Sequence, residues 1–359
     1  MFSPPLSMFK SDVIPWLTEP GNDLVNRLDT LIENVLIPES QMDSDAQLPD
    51  SHLDQLVDIG LVSIVTGPET LWNAKTKFAI TEQVAFGCLD TWFVITQHWG
   101  AASIIQRANE SPDAFWDRQS LLGVGFGHLR RSTPCLRAEL SGTDIYVSGN
   151  APWITGSSWL SWVVYGATLP NGDHVYFRLR HIEADGYSIG KSQALAAVRR
   201  TDTREVVLNL TVPSDYVLCV RPQGELSSQD EATLVTSMSP ILGLTARCLV
   251  DWSRDVKPDN RATFEKLASD YQHLRGEVYE ILGELGAVSV PDRLRVREKL
   301  HLLLETIVHI WSLSSGGQSN SSGMMVIRRR QEAAFFRVFQ QTKSLRDAAI
   351  ASALGHLNV

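Results

Sequence analysis

The chain has 359 residues, 43% of them apolar, with 41 acidic against 32 basic side chains and a formal charge of −9. That length buries a substantial core, in two or three structural units or in one multi-part subunit. The acidic balance, with no basic stripe interleaved with aromatics, argues against a general nucleic-acid binder. Cys88, Cys135, Cys219 and Cys248 are far apart, so no CxxC pair opens a zinc site or a redox couple, and they read as small buried residues in a reducing compartment. Pro4, Pro5, Asp12, Pro15, Glu19 and Pro20 interrupt the N-terminal segment, which lacks the apolar core of a signal peptide. No run approaches about 18 unbroken apolar residues. The expectation is a cytoplasmic protein.

From 23 to 118 the pattern is helical. Leu24, Leu28, Leu31, Ile32 and Val35 recur at helical spacing, as do Leu53, Leu56, Val57 and Leu61, with stops expected at Pro38, Pro49, Gly60 and Pro68. A further helix runs from Thr81 into the almost wholly apolar stretch Cys88 to Trp99. From 119 to 225 the period changes to two, with strands expected at 144–147, 162–167, 175–179 and 205–212. Asn171-Gly172 and Asp185-Gly186 are hairpin signals between them. A short strand at 144–147 turns at Ser148-Gly149 and then presents Trp153 and Thr155, one residue apart and therefore on one face, where an indole and a hydroxyl donor shield and bind one planar heterocycle. A buried core tryptophan is the plainer alternative. From 229 onward helical periodicity returns, with stops at Pro258, at 286–291 and in the Ser/Gly-rich segment 312–323.

This order, with Val147-Ser148-Gly149 followed by Trp153-Ile154-Thr155, resembles the acyl-CoA dehydrogenase family of flavoproteins, whose middle domain carries a Trp-Ile-Thr run. Residues 198–218 are similar to the hairpin that closes the same domain. Gly243-Leu244-Thr245-Ala246-Arg247 opens a helix as the family's third domain does, and Arg261, Phe264 and Gln272 echo its R-x-x-F-G … Q pattern, with Glu265 in place of the glycine. Gly316-Gly317 ahead of the charged helix 328–337 matches a double glycine followed by an arginine-rich helix. The resemblance implies an α+β architecture: an N-terminal helical domain (1–118), a central β-barrel-like domain (119–226) and a C-terminal four-helix bundle (227–359). It further implies a homo-oligomer, dimeric or tetrameric, with FAD lying against Trp153, Ile154 and Thr155. Arg261, Phe264, Gln272, Gly316, Gly317 and Thr342 are then cofactor-binding, in part toward a neighbouring subunit's FAD. The apolar helix 299–313 is the surface expected to join subunits.

The implied reaction is dehydrogenation of a CH–CH bond in an acyl thioester, which needs a carboxylate base as well as the flavin. The family's usual glutamate falls on Gln340, and an amide is not basic near neutral pH. An alternative family position falls beside Glu231, which is nominated with Gln340 as catalytic. The family's flavin-cradling loop is replaced by Gly123-Val124-Gly125-Phe126-Gly127, whose spacing is not a dinucleotide fingerprint and whose glycines suit tight strand packing. His128, Arg130 and Arg131 behind it are candidates to meet a CoA phosphate or another anionic substrate. His301, Glu305 and His309 share a helix face, but without a second ligand-bearing helix they read as a polar stripe, and no metal is expected. No hydrolase motif occurs. The missing base keeps two alternatives open: a flavin-dependent monooxygenase on the same fold, and a flavin-free scaffold that has lost catalysis.

Overall fold

The computed structural model describes residues 19–42, 46–62, 74–111, 120–284, 286–321 and 324–356. Pro4, Pro5, Pro15, Pro68 and the expected boundary at 118 lie outside the described residues. By contacts the chain forms two units, one of Met1–Asp43, Glu69–Trp92 and Asp230–Val359, the other of Ser44–Pro68 and Phe93–Gln229.

In the first unit, Leu24, Leu28 and Leu31 form the buried stripe of α1 (Glu19–Leu31). Pro38 does not end this helix. A proline there has no N–H to give the carbonyl one turn back, and the chain widens just before it into a π-helical turn, Ile32–Leu36. The Ile37 N–H reaches the Ile32 carbonyl, and the helix resumes as α2 (Ile37–Gln41). In the second unit α3 (Asp50–Asp58) buries Leu53 and Leu56 and stops before Gly60, as its spacing predicts. The run expected as one helix from Thr81 is two, α4 (Ala74–Gly87) and α5 (Leu89–Arg107).

The second unit holds the sheet: β1 (Leu121–Gly125), β2 (Leu136–Ser141), β3 (Asp144–Ile154), β4 (Leu160–Thr168), β5 (His174–Arg180), β6 (Tyr187–Ser192), β7 (Arg204–Val212) and β8 (Val217–Arg221). Their order is β6-β7-β3-β2-β4-β5-β8, with β1 parallel to β4. The four expected strands are present as β3, β4, β5 and β7. The glycines of β1 admit β4 side chains, since a Cβ on Gly123 would lie 2.4 Å from Leu160 Cδ1.

Two turn expectations are corrected. β3 runs through Ser148-Gly149 without turning, and glycine is required at 149 for another reason: φ is +124° and a Cβ would lie 2.1 Å from the Cys135 carbonyl oxygen. Asp185-Gly186 forms a tight turn in which Ala184 and Tyr187 exchange both backbone hydrogen bonds. It does not join paired strands, because β6 pairs with β7 rather than β5. Asn171-Gly172 does close a hairpin, between β4 and β5.

The first unit continues with α7 (Ser239–Ser253), α8 (Arg261–Gly283), α9 (Val290–Ser315), α10 (Met325–Val338) and α11 (Lys343–His356), after α6 (Glu225–Ala232) has carried the chain out of the sheet. Two buried polar clusters fix these helices. On α4, the Glu82 carboxylate accepts from Arg275 Nε at 2.6 Å, Tyr279 at 2.6 Å and Tyr271 at 3.3 Å, all three on α8. A chain of alternating charges also links α7, α10 and α5. Asp251 accepts from Arg247 Nε and Arg329 Nε, each at 3.0 Å; Glu332 accepts from Arg329 at 2.6 Å and Arg328 at 2.9 Å; Arg328 also reaches Asp90. All but Arg328 are buried, so each charge depends on its neighbour.

Candidate functional site

β3 ends at Ile154, and its last residues separate rather than share an environment. The Trp153 side chain is 47% exposed, with the Arg131 guanidinium 5.1 Å from its ring centre, whereas Thr155 is 2% exposed. The expectation that 153 and 155 present a ring and a hydroxyl donor together is therefore corrected, and hydrogen counting gives the reason. Thr201 donates its hydroxyl hydrogen to the Val198 carbonyl at 2.8 Å. Thr203, 3.0 Å from Thr201, must then donate to it, and Thr155, 3.0 Å from Thr203, must donate in turn. Thr155 has spent its hydrogen inside the protein and keeps only an acceptor lone pair. Val198, whose carbonyl anchors this chain, holds φ at +48°, a costly conformation for a β-branched residue.

A second hydrogen-bond chain starts two residues on. Ser157 Oγ lies 2.6 Å from His181 Nε2, His181 Nδ1 lies 2.7 Å from the Tyr187 hydroxyl, and that hydroxyl lies 2.7 Å from the Tyr165 hydroxyl. Burial, reinforced by Arg204, pushes the His181 imidazole down to about 4, so it is neutral and carries one N–H at pH 7. Tyr165 is wholly buried, and both its desolvation and its bond to Tyr187 hold it protonated. Because the buried Tyr165 hydroxyl has no hydrogen-bond partner but Tyr187 among the described residues, it donates to Tyr187, Tyr187 then to Nδ1, and Nε2–H to Ser157. A serine nucleophile needs a bare Nε2 to take its proton, so this arrangement does not activate Ser157. It leaves the Ser157 hydrogen for a partner outside the four. No sequence signal marked this chain, because its members meet only through sheet pairing.

The other nominated residues separate by unit. In the sheet unit His128 is buried, its Nε2 3.1 Å from the Gly125 carbonyl, and burial pushes it down to about 4. It is neutral and offers no charge to an anionic substrate, which corrects that expectation for His128; Arg131 is exposed, over the Trp153 ring. Arg130 is half-buried. In the helical unit Arg261 is exposed and pairs with Glu265 at 3.2 Å. Phe264 packs edge-on against Trp252, and Gln272 faces solvent. Gly316 caps α9 with φ +59°, and a Cβ on Gly316 or Gly317 would meet nothing within 4 Å. Thr342 caps α11, its hydroxyl accepting the Leu345 N–H at 3.2 Å. Gln340 is exposed with φ +50°, and Glu231 is exposed in the last turn of α6. His301 is buried while His309 is exposed, and among the described residues no group of three potential ligands could hold a metal.

Solved structures with this arrangement include butyryl-CoA dehydrogenase from Megasphaera elsdenii, with a TM-score of 0.75 and 15% identity over 94% of this chain and 98% of that one. The acyl-CoA dehydrogenase from Geobacillus kaustophilus matches at TM-score 0.77 and 13% identity over 95% and 99% of the two chains. The fold is that of the acyl-CoA dehydrogenases. The same acyl-CoA dehydrogenase fold also underlies 3-HSA hydroxylase from Rhodococcus sp. RHA1, at TM-score 0.69 and 18% identity over 94% and 97% of the chains. At these identities what is shared is the backbone arrangement rather than the side chains of a site. No protein-family model matches the sequence, and no curated protein matches it. No single described helix is long and apolar enough to cross a membrane.

Proposed function

We propose that the chain is an FAD-binding oxidoreductase, with the flavin ring against Trp153, Ile154 and Thr155. The observation that carries this reading is Trp153, a large indole left half in solvent at the end of a strand in a fold shared by dehydrogenases and a hydroxylase. Trp153 offers a planar heterocycle its exposed face, and the roles of the hydroxyls beside it change. Thr155 offers an acceptor to a ring N–H, and Ser157 is the hydroxyl on this segment with a hydrogen to give. Arg261, Gln272, Gly316 and Gly317 lie at the surface of their own unit, which suits contact with a neighbouring subunit's cofactor. The flavin would supply hydride or electron acceptance; the protein's part is to stack, orient and hydrogen-bond the ring.

Two reactions fit such a site, and the side chains at the base positions discriminate between them. Gln340 is an amide and Glu231 is exposed at a helix end, so neither supplies a buried carboxylate for removing an α-proton. This favours flavin-dependent monooxygenation over oxidation of an acyl-CoA, the reading that otherwise follows from the fold. Bleaching of the flavin by acyl-CoA under anaerobic conditions would reverse that preference. Reduction only by an added flavin reductase, followed by oxygenation of a substrate, supports it. A small-molecule substrate, with an acyl-CoA retained as the alternative, and a cytoplasmic location where the four thiols stay reduced complete the proposal.

Assembly as a homo-oligomer belongs to the same reading. On α9, Leu300, Leu304, Ile307, Val308 and Trp311 are buried within the subunit, but Leu313 is 66% exposed, and Val338 on α10 is exposed as well. Leu313→Glu is expected to shift the protein from dimer or tetramer toward monomer in sedimentation, with little loss of subunit stability, and to weaken flavin retention. Unchanged sedimentation would remove this surface from the interface.

A further inference from the structure

α9 carries a second feature that the flavin reading does not use. Arg293, Arg297 and His301 recur at every fourth position and so share one helix face. Arg297 is only 2% exposed and His301 is also buried. Each of the three has a buried nitrogen without a hydrogen-bond partner among the described residues: Nε of Arg293, Nε of Arg297 and Nδ1 of His301. Arg293 gives one bond, to the Glu231 backbone carbonyl at 3.1 Å, and Arg297 gives one, to the Ser237 hydroxyl.

Among the described residues neither arginine forms an ion pair with a carboxylate, and the Glu298 carboxylate acts on Arg297 only from beyond ion-pair distance. The nearest acids on α9 are committed elsewhere: Glu298 and Glu305 both pair with Arg337, at 2.7 and 2.6 Å, and Asp292 with Arg295 and Ser289, at 3.0 and 2.6 Å. Three guanidiniums, those of Arg293, Arg297 and Arg337, are thus set against the two carboxylates of Glu298 and Glu305. A buried cation without an opposing charge is strongly disfavoured, and native proteins provide it a counter-ion. Burial and the nearby Arg337 outweigh the attraction of Glu298 and lower the Arg297 guanidinium to about 10, and burial with Arg297 and Arg337 holds the His301 imidazole neutral.

We propose that the Arg293–Arg297–His301 face, with the Ser237 hydroxyl, is a binding site for one small oxyanion, a carboxylate or a phosphate. The guanidinium Nε–H groups donate to its oxygens, as charge-assisted hydrogen bonds to such groups do. This site does not depend on the flavin reading.

The test is thermal unfolding of the full chain in phosphate, acetate and chloride at matched ionic strength. Phosphate or acetate is expected to raise Tm by about 5 °C over chloride at a hundredfold excess over Kd, and to go on raising it with the logarithm of concentration. Which of the two acts separates a phosphate ligand from a carboxylate one. Arg297→Met is expected to abolish the response while raising Tm in chloride, since it removes the uncompensated charge. Equal Tm in all three salts, or an undiminished response in R297M, overturns the proposal. If R297M does not fold, phosphorus NMR of phosphate with the wild-type chain decides: line broadening relieved by excess acetate or sulfate supports the site, and an unbroadened line in a protein that also ignores acetate overturns it.

Discussion

Asp251→Asn is expected to lower the unfolding free energy by about 3–5 kcal/mol, the range for breaking a buried ion pair from one side. Asp251 receives the Nε groups of both Arg247 and Arg329, and Arg247 Nη2 sits a further 2.7 Å from its other oxygen as an ion-pair contact. An amide at this position keeps the shape but leaves two buried guanidiniums sharing one fewer negative charge. Chemical denaturation of the variant against the wild type measures the loss. A change of under about 1 kcal/mol would place this cluster with surface ion pairs, whose worth is that small.

The same cluster sets a pH dependence. Burial pushes the Asp251 carboxyl up, but Arg329 and Arg247 outweigh it and leave Asp251 below its ordinary value; for Glu332 burial is likewise outweighed by Arg329 and Arg328. Because the folded chain holds both acids ionised more firmly than the unfolded chain does, their stabilisation is complete above the ordinary carboxylate range, roughly pH 4–5. It is lost as pH falls through the lowered folded values. Stability should stay level from neutrality to about pH 5 and drop below about pH 4, and D251N should flatten that drop.

The largest expected effect on chemistry is at Gln340. If this residue occupies the position of the family's base, Gln340→Glu in flavin-loaded protein supplies the missing carboxylate. Oxidation of an acyl-CoA should then appear or rise by about 10²–10⁴-fold, the usual contribution of a positioned general base. Stopped-flow bleaching of the flavin by butyryl-CoA without oxygen reads this directly. No gain would mean that residues 339–342 do not approach the substrate, and would strengthen the monooxygenase reading.

Helices and strands were legible where one face is buried and the other is not. The stripe Leu24, Leu28, Leu31 and the alternation in β7 are of this kind. β1 was not among the expected strands, because it lacks an alternating pattern, yet its glycines do serve the tight strand packing they suggested, against β4 side chains. Pro38 misled for a related reason: a π-helical turn absorbs the lost hydrogen bond, and nothing local announces it. Arg328 and Arg329 were legible only as part of a charged helix; that their partners Asp90, Asp251 and Glu332 bury the group was not. In the nominated segment the hydrogen-bonding roles of the hydroxyls were not legible. Which hydroxyl keeps its hydrogen depends on Val198, Thr201 and Thr203 in one case and on Tyr165, His181 and Tyr187 in the other, and the fold alone brings them to Thr155 and Ser157.

The visible absorbance spectrum of the purified full-length protein, taken as isolated and again after incubation with FAD and gel filtration, tests the flavin assignment most directly. The account predicts a yellow protein with the two bands of an oxidised flavin, and their loss in Trp153→Ala at preserved folding. A colourless wild-type protein that takes up no FAD would contradict it.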